Sequence, residues 1–141
     1  MPEHDERYHV AEEFVDVVMS LWDCWDEGAI IADRTTGQYI DPTKMKPLNH
    51  VGKYFQVRGP LNIGRCPQGR PIVLQAGASE AGLDLAARTA DVVFSVVQDF
   101  TEAKDAYRSL KERMPRFGRH PDEIAVLPGV MPILGRTRQE A

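Results

Sequence analysis

The chain has 141 residues, 43% of them hydrophobic, and a formal net charge of −4. That is the length of one ordinary domain with enough apolar content for a core, and the acidic balance without a long basic run argues against nucleic acid or an anionic membrane as a partner. No apolar run approaches the roughly 18 residues that a bilayer span needs, and the charged start Met1-Pro2-Glu3-His4-Asp5-Glu6-Arg7 is not that of a signal peptide, so a cytoplasmic location is expected.

Residues 6–25 read as the first helix. Val10, Phe14, Val17, Leu21 and Trp25 recur at three- and four-residue steps and make one apolar stripe. His4 and Tyr8, four apart, share a face if the helix reaches back to them. Residues 26–70 change character, with glycines and prolines scattered through them. Lys53-Tyr54-Phe55-Gln56-Val57 alternates like a short strand, and the rest reads as an irregular excursion. Its Tyr39, Ile40, Tyr54, Phe55 and Leu61 argue that it packs on something rather than serving as a linker. Long irregular segments in compact units are often functional.

From residue 71 the order is regular. Strands are expected at 72–75, 91–97 and 123–134, the last interrupted by Pro128 and Pro132. Between them lie a helix from Ser79 to Thr89, with Leu85, Ala86 and Ala90 inward, and a helix opened by Asp99 and Glu102 in a capping pattern. The second helix should bury Ala103, Ala106, Tyr107, Leu110, Met114 and Phe117. Residues 137–141 read as the start of another helix. Strands and helices in alternation, with continuous apolar strands, imply a parallel sheet covered on both faces. Three strands do not close a barrel, which typically takes about 250 residues. The domain reading is therefore a helix at 1–25, an excursion at 26–70 and a βαβαβ segment at 71–141.

Few residues carry an obvious chemistry. His4, His9, His50 and His120 show no metal-ligand spacing, so no metal is expected. Cys24 and Cys66 lack a CxxC pattern and read as structural thiols. No residue is identified as a catalytic acid, base or nucleophile. The informative stretch is Gln75-Ala76-Gly77-Ala78-Ser79-Glu80-Ala81-Gly82, a strand end running into a helix N-terminus. Such a junction presents backbone N–H groups and the positive end of a helix dipole to an anion, although a well-capped loop with no ligand has the same pattern. Ser79 is placed to cap the helix.

Several blocks in order resemble the bacterial-luciferase-like flavin monooxygenases, in particular the nitrilotriacetate monooxygenase component A and dibenzothiophene-sulfone monooxygenase group. These are His-Asp-Glu-Arg-Tyr at 4–8, Leu-Trp-Asp at 21–23, Ala-Asp-Arg at 32–34 and Asp41-Pro42. They continue with Asn-His-Val-Gly-Lys-Tyr-Phe-Gln-Val-Arg-Gly-Pro-Leu-Asn at 49–62, Pro-Gln-Gly-Arg-Pro at 67–71, Gln-Ala-Gly-Ala-Ser-Glu-Ala-Gly at 75–82 and Ala-Ala-Arg-Thr-Ala-Asp-Val-Val-Phe at 86–94.

The resemblance implies an α/β fold, part of a (β/α)8 TIM barrel running from roughly the fourth helix through the seventh strand. It implies reduced FMN as cofactor, with His4 and Tyr8 at the flavin and Ala78 and Ser79 at its phosphate. The implied reaction uses O2 and reduced FMN from a two-component system to oxygenate a small organic substrate, with C–N or C–S cleavage. A separate NAD(P)H:flavin reductase would supply the flavin, and the family is compatible with a homo-oligomer. Two alternatives remain at this point: a deazaflavin-dependent oxidoreductase on the same barrel, or an inactive fragment or non-catalytic α/β binding module. Arg34 and Arg58 could meet an anionic substrate or sit in surface ion pairs.

Overall fold

The computed structural model describes residues 4–97 and 99–141, and side chains from residue 6 onward. The chain divides into two compact units, Met1–Pro71 and Ile72–Ala141.

The first unit opens with helix α1, His4–Trp22. Val17 on its apolar stripe is buried, while Phe14 is half exposed with its ring 6.0 Å from that of Phe55. The helix stops three residues short of the sequence expectation. The amides of Asp23 and Cys24 bond back to the carbonyls of Ser20 and Leu21, which tightens the last turn. Trp25 leaves the helix, bridges Met45 in antiparallel fashion and donates its indole N–H to the Leu61 carbonyl at 2.9 Å.

The excursion is more ordered than its composition suggests. Strands β1, His50–Val51, and β2, Gln56–Val57, form an antiparallel hairpin with His50 opposite Val57. The strand expected over 53–57 is thus half turn. Residues 53–55 are diverted because the Glu13 carboxylate of α1 accepts from the amides of Tyr54 at 3.0 Å and Phe55 at 2.9 Å. A Cβ at Gly52 would overlap that carboxylate, so glycine is required by close approach. Elsewhere, short side-chain caps hold the backbone. Asp33 takes the amide of Thr35, and Asp41 takes that of Thr43 ahead of a 3-10 turn at Pro42–Lys44. Carboxylates over turn amides substitute here for sheet pairing.

The second unit holds β3, Leu74–Ala76; α2, Glu80–Thr89; β4, Val92–Ser95; α3, Phe100–Arg113; and β5, Ala125–Pro128. The strands lie in the order β3-β4-β5, all parallel, with Ala76 beside Phe94 and Phe94 beside Leu127. The core is formed by Ala86, Ala87 and Ala90 of α2, Val93 of β4, Leu110 of α3, and Met114 and Ile124. Val93 and its sheet neighbour Val126 face that core. Leu74, Phe94 and Leu127 point the other way and are exposed.

Among the described residues both helices lie on one face of the sheet, and the other face is open. Strand order that runs in one direction with right-handed crossovers puts successive helices on the same side, which is the arrangement of a barrel wall.

Other ends shift as well. The third strand finishes at Pro128, and Val130, Met131, Ile133 and Leu134 beyond it are exposed. Helix α3 ends at Arg113 and passes into a 3-10 turn, Met114–Phe117, closed by Gly118 at φ 70° in the left-handed region that glycine tolerates. Leu110 and Met114 take the core, while Tyr107 and Phe117 sit at its margin, exposed. Asp99 caps α3 through the amides of Thr101 and Glu102. A reciprocal capping box is found instead at His120 and Glu123. Residues 137–141 make a turn, with the Ala141 amide on the Thr137 carbonyl.

Candidate functional site

The carboxyl end of β3 delivers the chain through Gly77 and Ala78 to Ser79, the N-cap of α2. Ser79 is extended (φ −72°, ψ 156°), and its Oγ accepts from the Gly82 amide at 3.2 Å. Its carbonyl receives the Leu83 amide at 2.8 Å and starts the helical ladder. The first-turn amides of a helix have no intrahelical acceptor, and those of Glu80 and Ala81 belong to this turn of α2. Gln75 braces this loop from beneath, its Nε2 donating to the Gly82 carbonyl at 2.7 Å. Asp91 fixes the strand's start by accepting from the Val73 amide at 2.8 Å. The junction is thus built from backbone on a rigid strand and helix, at the sheet end where α/β proteins place ligands.

The charges around this turn are organised. Glu80 and Asp84 on α2 both pair with Arg113 of α3, at 2.5 and 2.7 Å, and Asp84 also takes Arg116 at 3.2 Å. The two carboxylates raise the affinity of the Arg113 guanidinium for its proton, Glu80 contributing first and Asp84 next. Beside the turn lies a cavity of about 140 Å3, bounded by Leu83, Val93, Ala106, Leu110 and residues 76–78.

In the first unit Tyr8 is half-buried on α1. His4 begins the same helix, and its side chain lies outside the described residues. The sequence reading of both as flavin contacts therefore has a helical backbone beneath it, with Tyr8 one turn after His4. Ala78 and Ser79 belong to the second unit.

A cluster that the sequence reading overlooked is centred on Glu13. Its carboxylate accepts from Tyr54 and Phe55 and lies 2.9 Å from Nε2 of His50. Those bonds, His50 foremost and then the two amides, hold the carboxyl below the usual carboxylate range against the opposing effect of burial. An i, i+4 stripe search cannot find such a residue, because its partners lie 37 to 42 positions away. Cys24 is buried, its thiol pointing at the Ser20 carbonyl 3.4 Å away, and burial pushes its pKa up; Cys66 is half-buried and free. Both fit structural roles. Arg34 and Arg58 are exposed. Among the described residues no three metal-ligating side chains gather, and no helix is long and apolar enough to cross a membrane.

Comparison with known proteins agrees with this geometry. A family model described as luciferase-like monooxygenase matches residues 2–141. The chain is 49% identical over 139 residues to N-acetyl-S-(2-succino)cysteine monooxygenase of Bacillus subtilis (strain 168), covering 99% of the chain and 32% of that protein. It is 46% identical to nitrilotriacetate monooxygenase component A of Aminobacter aminovorans, over 99% of the chain and 31% of that protein. Among solved structures, a long-chain alkane monooxygenase superposes with a TM-score of 0.92 at 39% identity, over 99% of this chain and 32% of its own. A riboflavin lyase crystallised with modified FMN and riboflavin superposes with a TM-score of 0.85 at 32% identity, over 91% and 29%. The chain thus spans about a third of the length of these relatives.

Proposed function

The chain belongs to the luciferase-like monooxygenase family, and we propose that it forms the phosphate-binding part of the wall of an FMN-dependent, two-component monooxygenase barrel. The observation that carries the reading is the Ala76–Ser79 turn. It presents backbone amides at the carboxyl end of β3 and the N-terminus of α2, the place where a parallel α/β wall receives an anion. Ala78 and Ser79 would seat the flavin phosphate, and His4 and Tyr8 would contact the flavin.

Reduced FMN would supply the oxygen-activating chemistry when bound. This chain's residues would hold the cofactor and exclude water. A separate NAD(P)H:flavin reductase would deliver it. The substrate would be a small organic molecule oxygenated with C–N or C–S cleavage, in keeping with the names of the N-acetyl-S-(2-succino)cysteine and nitrilotriacetate relatives. A donor set of backbone amides and the Ser79 hydroxyl fits a phosphate monoester.

The test is a thermal melt of a polypeptide carrying this chain within a complete barrel, with and without FMN. A ligand at a hundred times its Kd adds about 2.7 kcal/mol to the stability of the folded state, so Tm should rise by several degrees. An unchanged Tm at saturating FMN, with a shift by a deazaflavin instead, would transfer the site to the alternative cofactor.

A further inference from the structure

We propose that Arg113 is a positioning residue for phosphate binding: it holds the Glu80 carboxylate against α3, so that the N-terminal turn of α2 can accept a phosphate dianion. The inference rests on the reading that Ala78 and Ser79 seat that phosphate.

Glu80 is the first residue of α2 and follows the capping Ser79 directly. An acidic side chain there suits the helix dipole, and for that reason it competes with any incoming anion for the same electropositive field. Its side chain is 83% exposed, yet its Oε2 is fixed on Arg113 Nη2. Arg113 is the opposite kind of group, with a side chain only 12% exposed. Its second arm is spent on Asp84, and the Ser109 hydroxyl lies 3.4 Å from its Nε and Nη2.

The guanidinium is thus set by two neighbours, Asp84 and Ser109, besides Glu80, and draws the Glu80 carboxylate toward α3. Two carboxylates, Glu80 and Asp84, face two guanidiniums, Arg113 and Arg116, which neutralises the first turn and a half of the helix. Remove Arg113 and the balance at the turn becomes negative. A planar fork can grip both carboxylates at once, and a lysine ammonium cannot reproduce that geometry.

The experiment measures affinity for FMN and for riboflavin, which lacks the phosphate, in the complete barrel. Arg113→Gln should weaken FMN about tenfold, equivalent to roughly 1.4 kcal/mol, and leave riboflavin unchanged. The loss should shrink as ionic strength rises. Adding Glu80→Gln in the Arg113→Gln background should restore FMN affinity, and Arg113→Lys should fall between. If Arg113 only braces α2 on α3, Arg113→Gln weakens both ligands alike and Glu80→Gln rescues neither, which overturns the proposal. If Arg113→Gln does not fold, Glu80→Gln and Arg113→Lys carry the comparison: the former must hold or raise FMN affinity and the latter must lower the FMN-to-riboflavin ratio. A wild-type protein with no preference for FMN over riboflavin would instead remove the phosphate seat itself.

Discussion

Ser79 does two jobs that substitution can separate. Its Oγ satisfies the Gly82 amide at the N-terminus of α2, and the proposed phosphate would sit on the same turn. Ser79→Ala removes the capping acceptor, which costs about 1 kcal/mol of stability. Ser79→Asp keeps an acceptor at the N-cap and adds a charge that the helix dipole favours, so the fold should be as stable as the wild type. The phosphate responds in the opposite sense. A carboxylate about 4 Å from a phosphate charge at an effective dielectric near 20 is repelled by about 4 kcal/mol, which is about three orders of magnitude in Kd. The assay is a pair of measurements on the complete barrel, thermal midpoint without ligand and FMN affinity by calorimetry. The expected pattern is crossed. Alanine lowers Tm and weakens FMN modestly, while aspartate spares Tm and abolishes FMN binding. Wild-type FMN affinity in Ser79→Asp would refute the assignment of the phosphate to this turn.

Two further outcomes follow from the packing. Because Glu13 is held below the usual carboxylate range in the folded state, its contribution is present above the unfolded value of about pH 4.3 and is lost as pH falls through the lower folded value. Acid titration should therefore release the 50–57 hairpin, read as changes in the amide resonances of Tyr54 and Phe55. In Glu13→Gln that acid step should vanish, and its persistence would mean another group governs the hairpin. Leu110 is 2% exposed in the centre of the second unit's core, so Leu110→Ala should cost about 2–5 kcal/mol. A chemical denaturation midpoint that stays at the wild-type value would show that the α3 interface is not the core of that unit.

The parts of the fold that were legible in the sequence are those fixed by local rules. The β3-α2-β4-α3-β5 order emerges from apolar runs of strand length and from Ser79 and Asp99 at helix starts, since each signal lies within a few residues of what it controls. The excursion was less legible for a physical reason. Its shape is set by bonds over long separations, Glu13 to Phe55 and Trp25 to Leu61, which no window of neighbouring residues contains. The same separation hid the charge pattern of the site. Neither Glu80 nor Arg113 has a neighbour in sequence that marks it as the other's partner. Only the parallel crossover brings them together across 33 positions. The face of Leu74, Phe94 and Leu127 is exposed, and its apolar strands alone do not tell what covers it, because a buried strand looks alike whether it is covered by helices or by the opposite wall of a barrel. The one-directional order β3-β4-β5, with α2 and α3 packed on one side, leaves that face for other strands to cover, as in a barrel wall.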